Sequence, residues 1–491
     1  MNRLRQLLLA FAALPALAVI FAFGTCANSD DNDDDSASQQ QQSAATGSST
    51  TSPTVTDVAE SGAETGAATS NLNAVLREKL QAASGATAFL PSATAPAASA
   101  STHVIIAEAN AVAWLGGADG TTIYYYAAGY TGSGKRIPLA DCAGLFANCT
   151  TLQSIDLTGF DTSAATSMRG MFSKCTALTT VNLSGFATNN VIDMSYMFFN
   201  CESLVVLDVS GFDTSKVTNM ARIFQACKSL QTLTLGSFVT SAATDICCMF
   251  YGCTTLTSLD VSEFDTRNVT DMGGMFCSCY ALTALDLSNF DTHKVTCMTK
   301  TGTNSDGSTF AGGMFSNCRA LQTLTFGDTF DTSKVTDMSY MFRRCFALET
   351  LTFGTNFDTS NVTTMQSMFL HCEALASLDV RGFNTRNVTD MAAMFYGCTA
   401  LTSLDISNFA TDNVMDMRQM FYGCSNLATI YTTASADWGA AAPTAESAAM
   451  FTGSSKLVGG KGTVYDANNV TATYAHVDGL NGAAGYFTAK P

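Results

Sequence analysis

Cysteine is the residue type whose number and spacing in this chain most suggest chemistry. Eleven of the 17 cysteines recur at intervals of mostly 26 residues, and they stand at positions 149, 175, 201, 227, 253, 279, 318, 345, 372, 398 and 424. A metal centre needs ligands clustered at short spacing, whereas this pattern places them on a line. In-register copies of a repeat would point their cysteines the same way about 4.8 Å apart, which does not suit a disulfide. The spacing therefore predicts reduced, buried cysteines that pack as small apolar side chains.

Five further cysteines depart from this column. They are Cys142, the adjacent pair Cys247 and Cys248, Cys277 and Cys297. Cys248 and Cys277 fall on matching segments of adjacent copies, so a disulfide between them is the alternative that the sequence leaves open.

Methionine and histidine offer no better basis for a reactive site. Met-Phe pairs recur down the chain, but Leu145 and Ile223 replace the methionine in two copies, and neither can bind a metal. The pairs are therefore predicted to fill the core. The four histidines, at 103, 293, 371 and 476, are scattered, and no Ser-His-Asp, Cys-His or paired-acid set stands apart from the repeat. The sequence predicts no catalytic site, no metal site and no cofactor.

These residues are positioned by a repeat that fills the chain from about Leu145 to Phe451. Each copy reads approximately Cys-x-x-Leu-x-x-Leu-x-(Leu/Val)-x-x-Phe-x-Thr-x-x-Val-Thr-x-Met-x-x-Met-Phe-x-x. Self-similarity at a fixed period of this length is typical of a solenoid, in which each unit buries its apolar face against its neighbours. The expected fold is an α/β solenoid of eleven to twelve copies.

Within one copy the spacing of apolar residues changes. Leu204, Leu207 and Val209 indicate a short strand, and a Ser-Gly turn follows. Residues 213–215 (Asp-Thr-Ser) would then cap a short helix, because apolar residues recur at helical spacing from 217 to 227. Each copy is therefore predicted to be strand, turn and short helix.

The predicted domain organisation follows the repeat. Residues 142–451 form the solenoid, and 73–141 and 452–491 form its N-terminal and C-terminal caps, since an open end would expose core and strand edge. The N-terminal cap should contain a helix at 71–85 and strands at 103–107 and 121–126. The one 39-residue interval carries a polar insertion at 301–309, which is predicted to be a loop.

The N-terminus is typical of an export signal. Arg3 and Arg5 precede an apolar run from Leu7 to Phe23, and the sequence Phe-Gly-Thr-Cys then ends at Cys26. This resembles the lipobox of bacterial lipoproteins, which implies that Cys26 is lipidated and anchors the chain to a membrane. Ordinary cleavage after residue 24 and an uncleaved anchor are the alternatives. Residues 27–72 are acidic and low in complexity, and they are predicted to be a disordered linker.

The acidic balance of the chain limits its partners. It carries 24 basic and 41 acidic residues, for a net charge of −17. Nucleic acid and anionic lipid surfaces both attract basic proteins, so neither is expected as a direct partner of the repeats.

The repeat resembles leucine-rich repeats and, more narrowly, those of the BspA family of bacterial surface proteins. The resemblance rests on Met-Phe-x-x-Cys-x-x-Leu-x-x-Leu-x-Leu and Phe-Asp-Thr-Ser-x-Val-Thr-x-Met, which recur in eleven copies over about 145–451. It implies a lipid-anchored protein at the cell surface or outer membrane that binds a host matrix protein, a cell-surface protein or a glycan. The alternative is a structural spacer or antigenically variable module that has no specific ligand.

One column of side chains could carry such binding. In Leu-x-x-Leu-x-Leu, the residue between the last two apolar positions should point away from the core. The predicted ligand face consists of these residues and one neighbour: Asp156, Asn182, Asp208, Thr234, Asp260, Asp286, Thr325, Thr352, Asp379, Arg381, Asp405 and Tyr431. The alternatives are a face that is merely solvated and a face that binds calcium along the aspartates.

Overall fold

A computed structural model describes residues 79–80, 83, 85–106, 109–117, 120–130, 133–303, 309–441 and 445–490. The predicted signal segment 1–26 with Cys26, the linker 27–72 and most of the predicted helix at 71–85 lie outside these residues. None of the helices in the described ranges has the length and apolar character needed to cross a membrane.

The described residues form mostly short strands. They are β1 (Ala88–Pro91), β2 (Thr102–Ile106), β3 (Ala111–Gly116), β4 (Thr122–Ala127), β5 (Ile137–Pro138), β6 (Ser154–Asp156), β7 (Phe160–Asp161), β8 (Thr180–Asn182), β9 (Val206–Asp208), β10 (Thr232–Thr234), β11 (Ala284–Leu287), β12 (Thr299–Thr303), β13 (Thr309–Gly313), β14 (Thr323–Phe326), β15 (Thr350–Thr352), β16 (Ser403–Asp405), β17 (Thr429–Thr432) and β18 (Phe487–Ala489). Helical residues in the same ranges are 79–80, the short helix α1 (Trp438–Ala441) and two 3-10 turns, Ala472–Tyr474 and Leu480–Gly482.

Adjacent copies of the repeat pair in parallel and in register. Leu207 of β9 lies opposite Leu233 of β10, and β11, β14 and β15 pair in the same way. A second line of parallel bridges joins the copies at another corner, as from Asp193 to Asn219 and from Asn219 to Asp245. The prediction of a repeat-rich fold is therefore confirmed, and the structure shows that its sheets are short and parallel.

The predicted short helix is wrong, because tandem turns replace it in the described copies. Between Met194 and Cys201 the N–H groups alternate in their partners. The Met197 N–H donates to the Met194 carbonyl at 3.2 Å, three residues back, which closes a turn. The Tyr196 and Phe198 N–H groups instead donate to Ala221 and Ile223 of the next copy, at 2.9 and 2.8 Å.

Left-handed backbone conformations explain this alternation. Tyr196 and Asn200 have φ of 60° and 57°, which ends any α-helical run because a helix needs negative φ throughout. The same two positions have positive φ in most copies, and Gly or Asn occupies many of them, as at Gly170, Gly252 and Asn148. Turns at these positions release every second N–H group for bonding between copies.

Phenylalanine and methionine side chains fill the interior of the copies. The phenylalanine rings stack from copy to copy without a break from Phe146 to Phe451, at centroid separations such as 5.2 Å for Phe172 and Phe198. The neighbouring methionines, such as Met197, are fully buried. The prediction that Met-Phe pairs form the core is confirmed.

The cysteine column is buried and reduced, as predicted, but it is also a column of hydrogen-bond donors. Cys201 Sγ donates to the Phe172 carbonyl of the preceding copy at 3.2 Å, and this bond recurs down the column. Ser454, which replaces the cysteine in the last copy, donates to the Phe421 carbonyl at 2.6 Å. Burial raises the pKa of the Cys253 thiol to about 12. Cys248 and Cys277, the alternative disulfide pair, are both free thiols here.

A buried threonine column makes a further contact between copies. Thr359 Oγ1 donates to the Asn384 carbonyl at 3.0 Å and accepts from the Asn384 N–H at 2.7 Å. Thr214 makes the same two bonds to Val239 of its next copy. The predicted cap at 213–215 therefore has a different function, since Thr214 bridges two copies and no helix begins there.

Both ends of the repeat region pair with additional strands. At the N-terminal end, β1 lies between β4 and the first repeat strand β6, within a sheet of order β2-β3-β4-β1-β6-β8. At the C-terminal end, β18 pairs in parallel with β17. Strands β2 and β4 match the predicted ones, β3 was missed, and the predicted loop at 301–309 contributes to a hairpin of β12 and β13.

Gly423 tests whether the segment before each cysteine is a turn or a helix. Its φ is +70°, so Gly423→Ala should lower the free energy of unfolding by about 1 kcal/mol. A helix would give the opposite sign, because alanine is the better helix former. Urea denaturation measures the difference. Gly382→Ala is the control, since Gly382 has open space around it and an ordinary φ, and it should change stability by less than about 0.5 kcal/mol.

Thr359→Val tests the threonine column. Valine keeps the shape but removes the buried hydroxyl that pairs with both the Asn384 N–H and the Asn384 carbonyl, so unfolding should become easier by about 1–3 kcal/mol. Thr363→Val removes a hydroxyl bond at an exposed position, 3.0 Å from the Thr336 carbonyl, and should cost far less in the same denaturation experiment. Equal effects of the two substitutions would contradict the bridging function.

Candidate binding face

The predicted ligand face lies on the outside of the strands. In β11, Leu285 and Leu287 are buried while Asp286 between them is exposed, as alternation along a strand requires. Every one of the twelve predicted residues is exposed or partly exposed. The prediction that this column points away from the core is confirmed.

The aspartates of this face have a local structural function that sequence reasoning missed. Asp208 Oδ1 accepts from the Ser210 N–H at 2.9 Å, and Asp286 Oδ1 accepts from the Ser288 N–H at the same distance. The bond recurs at Asp156, Asn182, Asp260, Asp379 and Asp405. A carboxylate that accepts from the N–H two residues on closes an Asx-turn, which ends the strand.

These bonds also keep the carboxylates charged. Hydrogen bonds from the Ser210 hydroxyl and N–H lower the pKa of Asp208, and Ser288 does the same for Asp286. The local signal was present in the sequence as Asp-x-Ser, which recurs at the other corners of the copy too, as in Asp213 with Ser215. Recurrence of aspartate in the column therefore has a structural cause that requires no ligand.

At its C-terminal end the face forms a concavity of about 660 Å³. Five predicted residues line it, namely Thr352, Asp379, Arg381, Asp405 and Tyr431. The structure thus brings together side chains from four consecutive copies, which span about 80 residues of the sequence from Thr352 to Tyr431.

Two ion pairs define the charge of this concavity. Arg381 binds Asp379 in a bidentate manner, with nitrogen–oxygen distances of 2.9 and 2.7 Å. Lys490 Nζ lies 2.6 Å from Asp405 Oδ2. Lys490 follows β18 and was not predicted as a site residue, because only the pairing of β18 with β17 brings it to this face.

A second, smaller concavity of about 400 Å³ lies further toward the N-terminus, over Asp260, Asp286 and Thr325. Within the described ranges neither of its aspartates forms an ion pair, so this part of the face is acidic. The remaining predicted residues lie outside both concavities. Among these, Asn182 Nδ2 donates to Asp156 Oδ2 at 3.2 Å.

A different group of side chains could hold a metal. It lies at the corner of the copies that the second line of parallel bridges joins. One ligand atom each of Asp245, Cys247 and Asp271 lies within 4.8 Å of the others. Lys300 Nζ forms an ion pair with Asp271 Oδ2. Sequence reasoning treated Cys247 only as a departure from the column. The signal that could have found the group is the spacing of Asp245 and Asp271, which are one repeat apart and flank Cys247.

Asp286 tests the structural function of the aspartate column. Asp286→Ala removes the acceptor for the Ser288 N–H and should lower the free energy of unfolding by about 1 kcal/mol. Asp286→Asn retains an acceptor oxygen and should leave stability within about 0.5 kcal/mol of the wild type. Urea denaturation at neutral pH distinguishes the two, and equal losses would show that charge rather than the turn matters.

Comparison with protein families gives one match. A family model described as "Mycoplasma protein of unknown function, DUF285" matches residues 140–258, 227–306 and 309–438. Searches against curated proteins and against solved structures gave no match. The matched segments cover most of the repeats and more than half of the chain, which therefore belongs to this DUF285 family.

Proposed function

We propose that this chain is an exported, non-enzymatic binding module of the cell surface, whose copies form a leucine-rich-repeat solenoid with caps at 73–141 and 452–491. The ligand would be a host matrix protein, another cell-surface protein or a glycan. The single observation that carries the proposal is the concavity of about 660 Å³ on the exposed strand face. In-register parallel pairing of the copies, with extra strands at both ends, supports the solenoid.

The side chains of this concavity suit recognition of a polar macromolecule. Tyr431 offers a large amphipathic ring, and Arg381 and Lys490 offer cationic donors at the rim. Hydroxyl groups of Thr350, Thr352, Ser377 and Ser403 lie between them. Tyrosine and arginine are among the residue types most enriched at the centres of protein interfaces.

The same groups are poorly suited to catalysis. The hydrogen bonds and charge of Arg381 lower the pKa of Asp379 to about 2, and the pKa of Asp405 is also lowered, with Lys490 contributing. A general acid or base works best with a pKa near the operating pH, and both carboxylates stay ionised at neutral pH. This supports a binding function over an enzymatic one.

Export and anchoring rest on the sequence of the N-terminus. Arg3, Arg5, the apolar run to Phe23 and Cys26 support a lipid anchor that holds the repeats at the cell surface or outer membrane. The linker 27–72 would separate the anchor from the repeats.

A spacer without a specific ligand is the second candidate function. The observation that favours it is the Asx-turn at every aspartate of the column, since this turn explains the recurrence of aspartate without any ligand. The two candidates differ in what they require of the concavity, because only a binding module depends on its side chains.

The test is binding of the full-length protein to an array of immobilised extracellular-matrix proteins, cell-surface proteins and glycans. A variant with Asp379→Asn, Arg381→Gln and Tyr431→Ala should lose at least about tenfold in affinity for a captured ligand, because it alters the anchors of the concavity. Asparagine keeps the Asx-turn, so the melting temperature should change little.

Asp208→Asn is the matched control, since it makes the same change on the same face outside both concavities. It should bind as the wild type does. Unchanged binding by the triple variant would rule out the concavity. A wild-type protein that captures nothing on the array would favour the spacer.

A further inference from the structure

We propose that Asp245, Cys247 and Asp271, with Cys297 at their edge, form a binding site for a thiophilic divalent cation such as Zn²⁺. The three closest ligand atoms, two carboxylate oxygens and one thiol sulfur, lie within 4.8 Å of one another. In tetrahedral zinc coordination such atoms are about 3.4–3.7 Å apart, which follows from metal–ligand distances of about 2.0–2.3 Å. Side-chain movements of about 1 Å would therefore close the group around an ion.

The buried thiol of Cys247 is the observation that distinguishes this group from an ordinary acidic cluster. Cys247 is 5% exposed, and its Sγ faces the two carboxylates. Cysteines of the column donate to a phenylalanine carbonyl, as Cys201 and Cys227 do, whereas the Cys247 side chain bonds to the Asp245 carboxylate and to the adjacent Cys248 thiol. A buried thiol directed at two carboxylates is a ligand set suited to zinc or cobalt.

The backbone holds both aspartates in place. Asp245 Oδ1 accepts from the Cys247 N–H at 2.9 Å, and Asp271 Oδ1 accepts from the Gly273 N–H at 2.9 Å. The parallel bridge between Asp245 and Asp271 sets their separation, and a further bridge joins Asp271 to Cys297. The backbone N–H groups occupy only Oδ1 of each carboxylate, and Oδ2 of Asp271 is paired with Lys300 Nζ. The positions of the ligands are fixed by the bridges between copies.

A cation already lies against this group. Lys300, on β12 of the inserted hairpin, forms an ion pair with Asp271, and both side chains are largely buried. The Lys300 ammonium group thus contacts one of the two carboxylates directly, and Cys247 and Cys297 lie near it. The structure therefore has a site at this corner that accommodates a positive charge.

Lysine and metal would compete for this place. Two carboxylates and a thiolate carry more negative charge than one ammonium group can neutralise, and a divalent ion meets this demand better. Binding would displace Lys300 Nζ from Asp271 and release the Cys247 proton. A thiol must lose its proton to bind a metal, so metal affinity should increase with pH.

The probe is Co²⁺, added alone to the reduced full-length protein at neutral pH. Thiolate coordination of Co²⁺ gives an absorption band that carboxylate coordination alone does not. The wild type should bind one equivalent with this band, and Zn²⁺ should abolish it by replacing Co²⁺. Cys247→Ser and Asp271→Asn should each weaken binding at least about tenfold, and Cys247→Ser should also remove the band.

Cys227→Ser is the matched control, because Ser454 shows that serine fits the cysteine column and keeps its hydrogen bond. It should bind Co²⁺ as the wild type does. Lys300→Met should bind more tightly by severalfold, a gain that a merely structural lysine would not give. Absence of the band in the folded wild type, or its persistence in Cys247→Ser, would overturn the proposal.

Discussion

Backbone hydrogen bonds between successive copies are the interaction on which the rest of this structure depends. They exist because residues such as Tyr196 and Asn200 adopt left-handed conformations, which divide the chain into turns and release alternate N–H groups toward the next copy. This bonding fixes the register, so that each residue lies opposite the equivalent residue of the next copy. Stacking of phenylalanine rings, the thiol bonds of the cysteines and the threonine bridges all require that register, since each joins equivalent positions of neighbouring copies.

The sequence period predicted the register and the core but could not distinguish tandem turns from a helix. Apolar residues at 217, 220, 223 and 224 have helical spacing, and turns of the observed kind bury the same residues. The sign of φ at two positions per copy decides between a helix and tandem turns. Glycine and asparagine recur there, as at Gly170 and Asn200, and they were the signal for left-handed conformations. Positions such as Tyr196 also have positive φ, but their residue type does not indicate it.

The outward column of the binding face was predictable because strand alternation is local. The turn function of its aspartates was also local, and the recurrence of Asp-x-Ser is the signal that would have predicted it. Lys490 and the group around Cys247 could not be predicted in the same way. Lys490 reaches the face only through the pairing of β18 with β17, and Lys300 reaches Asp271 only through the inserted hairpin. Both contacts depend on the irregular parts of the chain, where the period gives no guidance.

Repeated residues hold the copies together, while the irregular residues distinguish one part of the surface from another. This account depends on the bonding between copies, and NMR scalar couplings across hydrogen bonds measure it directly by linking an amide nitrogen to the carbonyl carbon of its acceptor. The account predicts a coupling from the Phe198 amide to the Ile223 carbonyl of the next copy. A coupling from Phe198 to the Met194 carbonyl, four residues back, would show a helix and contradict it.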